Sequence, residues 1–305
     1  MGFCHLAVGN LNVDIYMVVD KIPGPDERAT AEEAYVGPGG AAANYAVAAA
    51  RLGHLTELVA HTGVLAERLG VLERLREAGV GLSHIVVHED EFPGIVVVAV
   101  GPGGERAMIA LRGANRHLRG DEAAGAHCEA LHVASRGPEV LEAAASSVEA
   151  GLVSYDPGFS TLRRDPGGVL EAARRWAHVL FLNRAEYGLV APGAPVEDAA
   201  RLLGGRLRVV VVKLGGEGAV AATRDCVCRV EAYRVERVVD TTGAGDVFAA
   251  AFNVYLLEKG SIEEALRAAS AAAGLKVSRR GGQAAPSREE VEEALRRSPP
   301  RVWRL

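Results

Sequence analysis

The chain has little lysine, few amides and few cysteines. Only four of its 34 basic residues are Lys, glutamine occurs once (Gln283), and asparagine occurs six times. Scarcity of thermolabile amides fits heat adaptation, although a chain rich in Arg, Ala, Gly and Val is equally what a GC-rich genome encodes. Cys4, Cys128, Cys226 and Cys228 are too few to make a disulfide framework in 305 residues. Cys226 and Cys228 form a lone C-x-C in a strand-like stretch, and the local sequence lacks the two further ligands of a zinc site. The nine histidines lack H-E-x-x-H or H-x-H spacing and read as surface or satisfied core residues. No apolar run approaches the roughly 18 residues of a membrane span. Met1 to Leu6 has no basic segment before an apolar one, so no signal peptide is expected. A net charge of −5 without a basic block argues against nucleic acid or anionic membrane as the main partner. Cytoplasm is the expected compartment.

Short apolar runs alternating with helical patterns fill most of the chain. His5–Asn10, Leu55–Ala60, 131–134, 152–155, 179–182 and 209–213 read as strands. Helices are expected from Gly40 to Leu52, over 65–78 with a stop at Gly79, and over 139–149, 167–177 and 197–203. Three more close the chain at 246–258, 261–277 and 287–297, followed by a tail from Ser298. Such β-then-α alternation predicts an α/β fold: a doubly wound, mostly parallel sheet flanked by helices, with ligands at the carboxyl ends of its strands. Hairpin-like pieces near 15–36 and 93–112 interrupt the alternation, and 218–222 with 227–230 suggest a further hairpin. The first two predict a small β-sheet lid on a single domain spanning 1–305, its segments about 14–38 and 92–112. Surface hairpins for a homodimer contact are the alternative use of the same pieces.

Val238 to Phe248 reads as a strand end, a tight turn and the start of an apolar helix. Gly243 and Gly245 let backbone approach a ligand, and the free amides of a first helical turn bind an anion, usually a phosphate. Asp246 lies in the same turn. A carboxylate there would repel phosphate unless it removed a proton from an attacking hydroxyl, although an Asp in a first turn also complements the helix dipole. No Lys-Ser or Lys-Thr follows the glycines, so this is not a Walker A loop. The combination points to phosphoryl transfer to an alcohol.

The string Asp240-Thr241-Thr242-Gly243-Ala244-Gly245-Asp246 resembles the C-terminal signature of the ribokinase-like, or PfkB, carbohydrate and nucleoside kinases. Gly9-Asn10-Leu11-Asn12-Val13-Asp14 looks like the family's first strand, and Gly37-Pro38-Gly39-Gly40 through Asn44 like its first signature. Asn183-Arg184-Ala185-Glu186 matches its Asn-x-x-Glu motif, and Lys213 to Gly218 its loop beside the nucleotide. The resemblance implies an ATP-dependent, Mg2+-requiring kinase acting on a hydroxymethyl group of a sugar or nucleoside. It makes Asp246 the base and the amides of Gly243, Ala244 and Gly245 the anion hole. Asn12, Asp14, Gly39, Gly40 and Asn44 become the acceptor pocket, with Arg112 added from the lid. Asn183, Lys213, Gly215, Gly218 and Thr242 fall to the nucleotide, and Glu186 with Asn183 to Mg2+. The family further implies a monovalent cation such as K+, held by carbonyls around Asp240, Thr242 and residues 277–285.

Several positions depart from ribose-specific relatives. Ala41 stands where a Lys often follows the Gly-Gly pair, Pro93-Gly94 replaces Thr-Gly, and Ala134-Ser135-Arg136 replaces a segment that tends to carry a Glu. Arg112 and Arg136 fit an acidic or phosphorylated acceptor, or are simply solvated. A sugar-acid or sugar-phosphate kinase, or a silent sugar- or nucleotide-binding protein, are therefore the alternatives.

Overall fold

Apolar runs without polar alternation must be covered on both faces, and parallel strands with crossover helices do that. The computed structural model describes residues 2–305. Its strands are β1 (Cys4–Gly9), β2 (Asn12–Val19), β3 (Ala31–Gly39), β4 (Leu55–Gly63), β5 (Val80–His88), β6 (Gly94–Val100), β7 (Arg106–Leu111), β8 (His127–Ala134), β9 (Glu149–Asp156), β10 (Val179–Asn183), β11 (Val209–Lys213), β12 (Ala219–Ala222), β13 (Val227–Val230) and β14 (Val302–Arg304). The helices are α1 (Ala41–Arg51), α2 (Val64–Arg68), α3 (Val71–Glu77), α4 (Pro138–Ser147), α5 (Phe159–Arg164), α6 (Pro166–Trp176), α7 (Arg184–Val190), α8 (Ala244–Lys259), α9 (Ile262–Val277) and α10 (Arg288–Arg297).

The large sheet runs β14-β13-β12-β11-β10-β9-β8-β1-β4-β5. From β11 to β5 the pairs are parallel, and β12, β13 and β14 extend one side antiparallel. Two apolar cores lie on its two faces. One gathers residues of α1, α3, α8, α9 and α10, and the other residues of α4, α6 and their loops. Ala249, Ala250 and Ala251 of α8 and Ala268, Ala269, Ala271 and Ala272 of α9 are all fully buried. Small side chains there let the two helix backbones pack closely, and α8 needs no polar face because it is covered around most of its girth.

The lid is a separate four-stranded sheet, ordered β3-β2-β6-β7. Two hairpins, β2–β3 and β6–β7, join through the parallel pair β2–β6, with Asp14 opposite Val96 and Tyr16 opposite Val98.

Four local expectations change. The helix expected over 65–78 breaks into α2 and α3, because Gly70 takes a left-handed backbone with φ 70°. Val80–His88, unassigned above, forms β5 at the sheet edge. Residues 196–202 wind as a 3-10 rather than an α-helix. The tail from Ser298 is not free: Val302–Arg304 pairs with β13.

Candidate active site

The carboxyl ends of β1, β9, β10 and β11, the base of the lid and the first turn of α8 converge on one cleft. Gly243 caps α8 with φ 75°, and a Cβ there would overlap the carbonyl of Gly282. Only glycine fits both the left-handed backbone and that close approach. The amides of Gly243 and Gly245 have no backbone partner among the described residues, whereas Ala244 donates to the Thr241 carbonyl at 3.2 Å. Ala244 therefore presents a weaker anion-hole donor than the resemblance implied.

Asp246 lies in the first turn of this helix. Asn44, on α1, donates through its amide to Asp246 Oδ2 at 2.8 Å. Burial pushes the Asp246 pKa up to about 7, the charge of Asp156 adds to that, and the Asn44 bond and Lys213 pull the other way. A carboxylate titrating near neutrality is suited to accept a proton and release it again. Asn44 thus orients the Asp246 carboxylate, while its buried Oδ1 has no partner among the described residues and leaves the expected acceptor-pocket role open.

Behind the base, Lys213 Nζ bonds Asp156 Oδ2 at 2.5 Å at the ends of β11 and β9. Burial lowers the Lys213 pKa, but Asp156, Glu186 and Asp246 around it raise it on balance, so the ammonium stays charged. A Cβ on Gly245 would lie 3.2 Å from that Nζ, which brings the cation to the floor of the anion hole.

Glu186 and Asn183 form a reciprocal capping box at the start of α7. Asn183 accepts from the Glu186 amide at 2.9 Å, and Glu186 Oε2 accepts from the Asn183 amide at 2.7 Å. Both caps are occupied, yet the buried Glu186 has its pKa raised by burial and by Asp156. Glu186 and Asp156 are two buried carboxylates close enough to interact, Asp156 also holding Lys213, and such a pair fits a hydrated divalent cation.

The residues expected to line an acceptor pocket lie at the lid base. Asp14 is buried, and its Oδ1 finds no hydrogen-bond partner among the described residues. Burial, aided by the Asp240 charge, pushes its pKa up to about 7. An orphaned buried acceptor is costly unless a ligand hydroxyl or water meets it. Gly39 packs directly on that carboxylate, where a Cβ would collide with it, and Gly40 caps α1 with φ 97° against the Asn10 carbonyl. Asn12 Oδ1 accepts from Asn115 at 2.8 Å, while Asn115 Oδ1 accepts from the Leu11 amide at 3.0 Å. Asn115 was not among the expected site residues, since a lone Asn in a loop carries no pattern.

Three cations were also misjudged or missed. Arg106, on the lid, donates to Thr242 Oγ1 at 3.1 Å and lies 3.4 Å from Asp240, so the lid touches the anion-hole loop directly. Lys276, fully buried on α9, donates to the Asp240 carbonyl at 2.8 Å. Arg136 bonds Asn10 Oδ1 and the carbonyls of Asn115 and Leu118, which makes it a brace for the pocket loops instead of a ligand for an acidic acceptor. Arg112 is exposed beside the 3-10 turn Gly113–His117 and makes no ion pair among the described residues. Gly215 opens and Gly218 caps a short 3-10 turn after β11, where a Cβ on Gly218 would strike the Val230 carbonyl. Their demand for glycine is therefore explained by the turn itself.

The pfkB family carbohydrate kinase model matches residues 5–289. An ATP-dependent ribose-1-phosphate kinase from Halopiger xanaduensis is 34% identical over 299 residues, covering 95% of this chain and 97% of its own. A crystal structure of a nucleoside kinase from Methanocaldococcus jannaschii superposes with a TM-score of 0.84 at 24% identity, over 97% of this chain and 99% of that one. Arabidopsis thaliana ribokinase, solved with ribose and ATP, gives a TM-score of 0.77 at 26% identity, over 98% and 100% of the two chains. The chain belongs to the pfkB family of carbohydrate kinases, phosphotransferases whose acceptor is an alcohol.

Proposed function

We propose that the protein transfers the γ-phosphate of ATP, with Mg2+, to a hydroxymethyl group of a pentose or a nucleoside, working in the cytoplasm. The observation that carries this is Asp246 at the N-terminus of α8, tuned to about 7 and oriented by Asn44. Asp14 and Asn12 hold acceptor hydroxyls at the lid base. Asp246 takes the proton of the hydroxymethyl group, whose oxygen attacks the γ-phosphorus. The bond to the bridging oxygen breaks and ADP leaves, while the amides of Gly243 and Gly245 meet the charge on the transferring group. Glu186 and Asp156 are the residues that would hold Mg2+, which neutralises phosphate charge when bound. Support for ATP comes from the relatives that carry it in their names or crystals.

A phosphorylated pentose is the second reading for the acceptor. The 34% identical relative acts on ribose 1-phosphate, and Arg106 stands on the lid within reach of the anion-hole loop. The monovalent cation expected near Asp240 has a resident substitute, because the Lys276 ammonium already holds the Asp240 carbonyl. We infer that this ammonium, whose pKa burial lowers to about 8, takes over the cation's electrostatic work. Exposed Ile109 and Leu111 on β7 support a homodimer formed through the lid, which light scattering would test.

The deciding experiment is nucleotide turnover with separate pools of pentoses, pentose phosphates, sugar acids and nucleosides, with Asp246→Asn alongside. Turnover in one pool, lost in the variant, supports the reading and names the acceptor class. Nucleotide binding without turnover in any pool would favour a silent binding protein.

A further inference from the structure

Histidines scattered at 61, 88 and 117 in the sequence meet in space, beside but outside the phosphoryl-transfer cleft. His88 ends β5, Glu91 lies in the loop that enters the lid, and His117 closes the 3-10 turn that leaves it. One ligand atom from each of His88, Glu91 and His117 lies within 4.8 Å of the others. The His88 and His117 rings stack with centroids 4.7 Å apart, and once one ring turns, two imidazoles and a carboxylate make a donor set for a borderline-soft divalent ion.

The surroundings strengthen this assignment. His61 Nδ1 faces His88 Nε2 at 2.8 Å, which leaves Nδ1 of His88 to ligate. His61 Nε2 in turn faces Glu122 Oε1 at 3.2 Å. This carboxylate–imidazole–imidazole line is the outer support that orients a metal-bound histidine and fixes its tautomer. A His61 Nε2–H that donates to Glu122 leaves His61 Nδ1 to accept the His88 N–H. Glu91 uses Oε1 for His117 at 2.7 Å and Arg116 at 2.8 Å, while its buried Oε2 has no partner among the described residues. An orphaned carboxylate oxygen inside a histidine cluster is an electron pair directed at nothing in the protein.

We propose that His88, Glu91 and His117 bind a divalent transition ion, Zn2+ being the best fit, which staples the loop entering the lid to the turn leaving it. Zn–N and Zn–O bonds of about 2.0–2.2 Å require the three atoms to draw together. The exposed ring of His117 supplies that movement by rotation. Arg116 is the opposing element, since its guanidinium on Glu91 occupies the carboxylate and repels a cation. It is more than half exposed and can swing into solvent. The ion would sit two residues from Asn115, which holds Asn12 in the acceptor pocket. The inference does not rest on the kinase reading.

The test is Zn2+ titration of chelator-stripped full-length protein in excess Mg2+, with a chromophoric chelator as competitor and Co2+ as the spectroscopic probe. Wild type should take up one tight equivalent and develop Co2+ ligand-field absorption. His88→Ala and His117→Ala should each lose that equivalent, with circular dichroism confirming the fold. His61→Ala should weaken binding by about 10–100-fold, as removal of an outer hydrogen-bond partner does. Arg116→Ala should tighten it. Absence of stoichiometric binding in wild type, or binding indifferent to His88 and His117, would overturn the proposal.

Discussion

The side-chain amide of Asn44 donates to the carboxylate of Asp246 at 2.8 Å, across 202 positions of sequence. It joins the first turn of α1 to the first turn of α8, so one bond aligns the acceptor side of the cleft with its base. Asn44 also lies beside Gly282, whose added Cβ would come within 3.1 Å of its Oδ1. Three segments therefore meet around a single carboxylate.

Asp246→Asn should lower kcat by about 10²–10⁴, the usual worth of a general base. Nucleotide affinity by calorimetry should stay close to wild type. Full turnover in the variant would remove Asp246 from the mechanism.

The rate should follow ionisation of Asp246, rising with pH through about 7. Asn44 lowers that pKa by stabilising the charged form, so Asn44→Ala should move the acid limb of the kcat–pH profile upward. A profile unchanged in shape and position would show that Asn44 serves only packing.

Asp14 and Asp246 are both held near 7, well above an unfolded Asp. For a carboxylate the raised folded pKa means that the native state binds the extra proton. Its contribution is present below about pH 4 and is lost as pH rises through about 7. At pH 8 each buried charge thus costs stability, on the order of a few kcal/mol at most. Asp14→Asn should accordingly raise Tm at pH 8 more than at pH 5, while acceptor binding is lost. Equal shifts at both pH values would contradict this account.

Lys276 leads to a cation prediction. Turnover should be the same in Na+ and K+, and Lys276→Met should become K+-stimulated, though destabilised by about 1–3 kcal/mol because the Asp240 carbonyl loses its partner. K+ stimulation of the wild type would show that an exchangeable ion works alongside the ammonium.

Arg106→Ala should raise the acceptor KM several-fold, because the lid loses its ties to Thr242 and Asp240. Stability should change by no more than about 1 kcal/mol, as for other partly exposed pairs. An unchanged KM would leave Arg106 as surface decoration.

The sequence exposed the β/α alternation and the α8 turn because both leave local marks: apolar runs of strand length and glycines where a Cβ cannot fit. Gly39, Gly40 and Gly243 are demanded by contacts with Asp14, Asn10 and Gly282, and their spacing made them visible before those partners were known. What stayed hidden depends on contacts between distant segments. Asn115, Arg106, Lys276 and the histidines at 61, 88 and 117 carry no spacing signal, since the partners of each come from other strands or turns. Edge strand β5 was overlooked because Val80–His88 lacks a strict apolar–polar alternation, and its burial likewise shows no period of two. Arg136 shows the opposite error, a charge that looked available and is consumed by three loop acceptors.

The chain passes between core and lid four times: after β1, before α1, before β6 and after β7. Asn12 and Asp14, Gly39 and Gly40, and Asn115 all lie at or within a few residues of these crossings. The joints on which the lid would turn are therefore made of the residues that would read the acceptor. Were the lid to close, recognition and closure would share one mechanical part, and a substitution that retunes acceptor choice would also retune how fast the cleft shuts.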